Sequence, residues 1–395
     1  MQPLVSEDVY QFTPARESIF WPWAMGLVVR HFMLPRAGIE SVEVQGAEKI
    51  RQAIDAGHGV IIAPNHCRPC DPLLLSELAR ETSVPPYVMA SAHLFRSRWM
   101  RWLLPRVGAF SMNREGMDRE SLKLATAILT TAKRPLVIFP EGVITRTNDR
   151  VIHLQEGVSF LARNAAKACR ERGGEVVIFP LAIRYRFQGN WQDTVRPVVE
   201  KLERRFGWKT AGGTLFERVL RLGHGLLSLK EVEYFGVVQQ GCMEERLARF
   251  MDGVLAPMER EFLAGRSEES VVMRVKNLRK ALLPGLVSGE LDASERERRW
   301  KLLLDLEVAQ QAYHFPPDYI APNPSPERII ETVERYEEAL GEPSPAIHRP
   351  MKVILTVGDA MVVEPKREKG TADLLMSELR LRLQDLLKME PSDRI

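Results

Sequence analysis

The chain has 395 residues, 45% hydrophobic and 27% charged, an ordinary globular composition with enough apolar material for one large domain or two to three smaller ones. Its 55 basic and 52 acidic residues leave a net charge of +3, without the basic surplus of a non-specific polyanion binder, so nucleic acid is not an expected partner. Four cysteines and no charged-then-apolar secretory leader set aside a disulfide framework and lead to the expectation of an intracellular protein.

The first apolar stretch, "SIFWPWAMGLVV" from Ser18 to Val29, carries no charge. As a helix it would reach only about 18 Å, too short to cross a hydrocarbon core of roughly 30 Å. Trp21 and Trp23 stand at its start and Arg30, His31 and Arg36 follow it, an arrangement that favours an interface with anionic lipid. An apolar arm packed on the body of the protein explains the same stretch equally well. Residues 1–41 are taken as this arm.

Three short apolar runs come next and each ends in proline: "VIIAP" (Val60 to Pro64), "LVIFP" (Leu136 to Pro140) and "VVIFP" (Val176 to Pro180). Near-continuous Val, Ile and Phe suits a strand covered on both faces, and proline removes a ladder donor where pairing stops. Helix-like segments lie among them, at Pro72 to Arg80, Asp118 to Ala132 and Gly157 to Arg170. Alternating strands and helices predict an α/β fold with a mostly parallel central sheet flanked by helices. Ligands in such sheets sit beyond the carboxyl ends of the strands.

From about Arg196 to Pro350 the pattern changes to long charged helices such as Glu295 to Tyr313 and Pro326 to Leu340. "MKVILTVGDAMVV" (Met351 to Val363) returns to strand character, and an amphipathic helix is expected from about Thr371 to Lys388. The predicted organisation is therefore an α/β domain over 42–195, a long helical insertion over 196–350, and a closing strand and helix over 351–395. Within the insertion, Leu215, Val219, Leu222, Leu226 and Leu229 fall at helical spacing, with Arg218, Arg221, His224 and Lys230 between them, read as a core-facing helix with a solvated basic side. No internal repeat is read from the sequence.

The chemistry gathers after the first run. Asn65 and His66 follow it, and Asp71 stands five residues beyond the histidine, just before Pro72. Five residues advance a helix by about 140°, so the two side chains meet only if His66 lies in the loop and Asp71 begins the helix. Asp71 also suits a plain helix cap, and His66 a histidine that only ties the loop together. Two further segments at the same sheet rim bring Arg114, in "GAFSMNREG" (Gly108 to Gly116), and Glu141, Gly142 and Arg146, in "FPEGVITR" (Phe139 to Arg146). Arginines with glycine-opened backbone beside a His and an Asp make an anion site next to a general base.

These four segments, "NHCRPCD", "GAFSMNREG", "FPEGVITR" and "VVIFPLAI", resemble in order the blocks of the glycerolipid acyltransferases typified by lysophosphatidate acyltransferase. The resemblance runs from about Val42 to Tyr185, with "VGDAMVVEP" and the last helix similar to the family's closing strand and helix. It implies acyl transfer from acyl-CoA or acyl carrier protein to a hydroxyl of a phosphorylated glycerol or lysophospholipid, at a membrane surface and with no metal or bound cofactor. It implies a catalytic pair in His66 and Asp71, and acceptor binding by Arg114, Glu141, Gly142 and Arg146. The expected location is cytoplasmic, peripheral on the inner face of the membrane.

Cys67 and Cys70, with Arg68 and Pro69, occupy places where the family more often carries serine, aromatic or aliphatic residues, which bears on acceptor preference. A C-x-x-C beside His66 is also compatible with a metal or redox pair, but no second pair stands near Cys169 or Cys242 to complete a zinc set. Transfer to a non-phosphate lipid acceptor, and non-catalytic lipid binding on the same fold, are the alternative readings.

Overall fold

The computed structural model describes residues 10–113, 118–208, 212–268, 270–288, 291–320, 323–342, 344–366 and 373–388. The chain forms two compact units, one built from Tyr10–Gly189 and the chain from Ile347 onward, the other from Asn190–Ala346.

In the first unit, helix α1 (Phe20–Val28) continues through a π-helical stretch (Val29–Met33) into the short α2 (Leu34–Arg36). There follow β1 (Ile39–Gln45), α3 (Ala47–Asp55), β2 (Gly59–Pro64), α4 (Asp71–Thr82), β3 (Tyr87–Ser91) and α5 (Arg98–Arg106). The chain continues with β4 (Ala109–Met112), α6 (Arg119–Thr131), β5 (Leu136–Val137), α7 (Gly157–Arg170) and β6 (Val176–Phe187). The second unit is helical: α8 (Trp191–Arg205), α9 (Leu215–Phe235), α10 (Met243–Phe262), α11 (Val271–Ser288), α12 (Ala293–Tyr313) and α13 (Pro326–Ala339). The chain then returns to the first unit as β7 (Met351–Val357), β8 (Met361–Val362) and α14 (Leu374–Lys388).

The sheet runs β1-β7-β6-β2-β5-β3-β4, with β8 beside β6. All pairings are parallel except those of β6 with β7 and with β8. This is the mostly parallel α/β architecture that the alternating pattern predicts, with the helical stretch inserted ahead of the last strands. Every residue of β2 is buried. Helices α6, α7 and α14 supply Ala125, Leu161 and Leu379 to a core shared with Ile61 and Ile178, and α3 packs on β2 and β7 while α4 packs on β1.

The third apolar run corrects the sequence reading. Pro180 does not end a strand: β6 continues through it for seven more residues, to Phe187. The physical reason is a change of neighbour. Up to Ile178, β6 pairs with β8, and from Leu181 it pairs with β7. The missing proline N–H falls in the gap between the two partners, where no ladder bond is lost.

The helical unit has its own core, in which α10, α11 and α12 bring Phe250, Leu278 and Leu306 together. It also contains an internal repeat, contrary to the sequence reading. Glu203, Glu231 and Glu259 stand 28 positions apart, and so do Arg218, Arg246 and Arg274. Each glutamate, near the end of one helix, takes a two-pronged ion pair from the arginine near the start of the next. The paired N–O distances are 2.9 and 2.6 Å for Arg218–Glu203, 2.9 and 2.6 Å for Arg246–Glu231, and 2.7 and 2.8 Å for Arg274–Glu259. Thr214 and Cys242, at matching places, both open their helices with capping boxes. The junctions α8–α9, α9–α10 and α10–α11 thus repeat one helix–turn–helix unit pinned by a buried ion pair. Arg218 is accordingly buried rather than on a solvated side, while Leu215, Val219 and Leu222 of the same stripe are core and Leu229 is exposed.

Candidate functional site

The site begins where β2 stops. Asn65, fully buried, donates from Nδ2 to the carbonyl of Ile183 (3.0 Å) and accepts from its amide at Oδ1 (2.7 Å). Asn148 does the same to Tyr185, donating to its carbonyl at 2.8 Å and accepting from its amide at 2.5 Å. Two side-chain amides thus stand in for a strand along the far end of β6, where β2 no longer reaches. They satisfy buried backbone groups that would otherwise be orphaned.

His66, next in the chain, is held from three directions. Its amide donates to Glu141 Oε1 at 2.6 Å, and its carbonyl accepts from the amide and the hydroxyl of Thr145, at 2.8 and 3.1 Å. Its ring lies 4.4 Å, centre to centre, from Phe139. Its Nδ1 is 2.8 Å from Asp71 Oδ2. A carboxylate can only accept, so Nδ1 carries the proton and the lone pair is on Nε2.

Asp71 is the first residue of α4, and its position settles the capping alternative. No side-chain bond caps that helix. Both carboxylate oxygens are used elsewhere. Oδ2 also accepts from the Arg68 amide (2.9 Å), and Oδ1 accepts from the Tyr185 hydroxyl (2.6 Å). That hydroxyl has one hydrogen and gives it to Asp71, so the Cys70 thiol, 3.3 Å away, is the donor to Tyr185 Oη. Burial, with the Asp71 charge adding to it, holds the Tyr185 phenol well above its ordinary range. The Arg68 guanidinium lies 5.0 Å over the same ring. Tyr185 is a site residue that the sequence reading missed. Its signal lay in the alternation of β6 past Pro180, which continues "LAIRYRF" as strand.

The Pro-Glu-Gly segment forms a buried turn. The Gly142 amide donates to the Phe139 carbonyl (3.1 Å), so it is occupied in the turn. Gly142 has φ +72°, and a Cβ there would lie 2.1 Å from Gln155 Nε2. The positive φ favours glycine, and the Gln155 side chain occupies the space that a Cβ would take. Glu141 is buried, and that burial, only partly offset by the His66 amide and reinforced by Asp71, pushes its carboxyl up to about 8. At neutral pH its proton is therefore mostly retained. Arg146 is buried, in a left-handed backbone conformation (φ +52°), and its charge opposes the rise that burial and Asp71 impose on the Cys70 thiol. Arg114 lies outside the described residues. The structure thus brings His66, Asp71, Glu141, Gly142 and Arg146 of the sequence-predicted set into one neighbourhood.

All four cysteines are free thiols. Cys67 Sγ lies 3.9 Å from Asp71 Oδ1, so both members of the C-x-x-C face the Asp71–Tyr185 pair.

A search of curated proteins finds no match to the chain. Residues 41–184, which hold His66, Asp71, Glu141 and Arg146 and stop one residue short of Tyr185, match the model of the Acyltransferase family. The similarity of this segment to the Acyltransferase family supports acyl transfer as the chemistry and, with it, an acyl donor and a lipid acceptor as the general substrates.

Proposed function

We propose that the chain transfers an acyl group from a thioester, acyl-CoA or acyl carrier protein, to the hydroxyl of a phosphorylated glycerol or lysophospholipid. The observation that carries this reading is the His66 Nδ1–Asp71 Oδ2 bond of 2.8 Å, which directs the basic Nε2 away from Asp71. A glycerol hydroxyl is a weak nucleophile near neutrality. His66 would take its proton as it attacks the thioester carbonyl, and would return a proton to the leaving thiolate, an effect worth roughly 10²- to 10⁴-fold. Asp71 fixes the tautomer and stabilises the imidazolium that forms. Tyr185 and the Arg68 amide hold Asp71 in place. Arg146, with Arg114, would bind the acceptor phosphate and keep the hydroxyl at attack distance.

The reading includes peripheral seating on the inner face of a membrane. One side of the α1 region packs on α4, with the Arg30–Glu77 ion pair at 3.4 Å. The other side exposes Phe20, Trp23, Leu27 and Phe32 at helical spacing. Trp21 meets Trp102 of α5 at 5.2 Å, and exposed Trp99 stacks on Trp102, which widens the apolar face with aromatic rings among arginines. No helix among the described residues is long and apolar enough to cross a membrane.

The test is to incubate the purified chain with palmitoyl-CoA and, separately, glycerol 3-phosphate, lysophosphatidate and a neutral lysolipid, following free thiol and lipid product. Matched thiol and ester with a phosphorylated acceptor, reduced at least about 10²-fold in His66→Ala and Asp71→Ala, is the expected result. Ester formed only with the neutral acceptor would reassign the substrate, and full activity in either variant would remove the dyad.

A further inference from the structure

The helical unit carries a cavity of about 540 Å³, partly open to solvent, between α9, α10, α12, α13 and the 315–320 segment. Leu227, Leu247, Phe250 and Val308 represent its wall, which is mostly apolar. An apolar hollow of about 150 Å³ already stays dry and takes up benzene. The cavity here is several times larger and lies within the roughly 300–1,000 Å³ of ligand pockets.

The polar groups in the wall narrow the ligand further. Lys230 is paired with Glu233 at 2.7 Å, and Arg335 donates to the His314 carbonyl and lies over the rings of Phe315 and Tyr319. Those cations are already engaged by the protein, so the wall is not built around an anionic head. Tyr336 is different. It is 4% exposed, and its hydroxyl lies against Gly223 in the wall. A Cβ at position 223 would lie 2.4 Å from that hydroxyl, so glycine in the α9 wall is what admits it. A tyrosine hydroxyl in a mostly apolar wall offers a ligand a place to hydrogen-bond. Glu307 lines the cavity from α12, and burial shifts its carboxyl toward the neutral form.

We infer that this cavity is a second ligand site, distinct from the one at His66, and that it takes a single long acyl chain whose uncharged or protonatable oxygen head bonds to Tyr336. Two sources share that chemistry, a free fatty acid and a neutral monoacylglycerol.

The inference is tested by titrating the whole chain with cis-parinaric acid and displacing the probe with palmitate or monopalmitoylglycerol. Saturable binding at one site per chain is expected, unchanged in His66→Ala, so that a failure of the acyl-transfer reading leaves this result standing. Val308→Phe and Ala312→Phe, which fill the cavity, should each weaken binding at least tenfold while melting as cooperatively as the wild type. Tyr336→Phe should weaken it severalfold, and no change there would overturn the assignment of the head. Diazirine-tagged palmitate should cross-link to peptides within 220–250 and 304–341. Displacement by palmitate alone assigns a fatty acid, and displacement by both assigns the acyl chain of either source. No saturable binding, undiminished binding in both folded filled variants, or cross-links confined to 60–187 would overturn the site.

Discussion

Four donors converge on Asp71, namely His66 Nδ1, the Arg68 amide, the Tyr185 hydroxyl and, at 3.9 Å, the Cys67 thiol. The first two come from within five residues and are legible in the spacing of "NHCRPCD". The third comes from 114 residues away and depends on β6 continuing past Pro180. Proline reads as a strand end, and only the exchange of β8 for β7 explains why this one is not. Glu141 carries a separate consequence at the same scale. Its carboxyl is raised by burial from 4.5 to about 8, so the folded chain holds a proton that the unfolded chain releases. Stability from this group is fully present below about pH 4.5 and is lost as pH rises toward about 8. Glu141→Gln keeps the oxygen that accepts from the His66 amide and cannot ionise. Urea midpoints should therefore fall between pH 5 and pH 8 in the wild type and fall less in Glu141→Gln; equal slopes would exclude a buried neutral carboxyl.

At the scale of elements, "SIFWPWAMGLVV" admits an arm on the protein body and an interface with lipid, and the structure packs one side of the stretch on the body and leaves the other exposed. Buried Val29 and the Arg30–Glu77 pair belong to the packed side, while Phe20 and Leu27, 71% and 63% exposed, belong to the other. The sequence could not separate them, because the stretch is apolar all round and it is packing on α4, with Trp21 against Trp102 of α5, that breaks the symmetry. Burying one such side chain is worth roughly 1.5–3 kcal/mol. Phe20→Ser with Leu27→Ser should therefore weaken co-sedimentation with phosphatidylglycerol vesicles by at least about tenfold and leave the melting temperature nearly unchanged. Unchanged co-sedimentation would detach this face from the membrane reading.

At the scale of the whole molecule, the three apolar runs and the return of strand character at Met351 were enough to fix the α/β class and the place of the insertion. The repeat within the insertion was not legible, because what recurs is a buried Glu–Arg pair, and charged residues in helices read as surface. Breaking one pair tests it. Arg246→Met leaves Glu231 buried without its partner and should cost roughly 3–5 kcal/mol in urea unfolding, whereas Arg246→Met with Glu231→Leu should regain most of the loss. A small effect in the single variant would make the pair peripheral to the repeat.

The place of β7 has a consequence in time. It lies between β1 and β6, yet it is made some 300 residues after β1. At a synthesis rate of about 5–20 residues per second, β1 waits roughly 15–60 s on the ribosome for β7, its neighbour among the described strands. The helical unit, being one continuous segment, is complete before β7 emerges. Its local helix–helix contacts form quickly, so the nascent chain is expected to acquire folded helical repeats while the sheet is still missing the strand that joins β1 to β6. Chaperone demand during synthesis should accordingly fall on the first 189 residues, the part that must be kept from pairing wrongly until the last strands arrive.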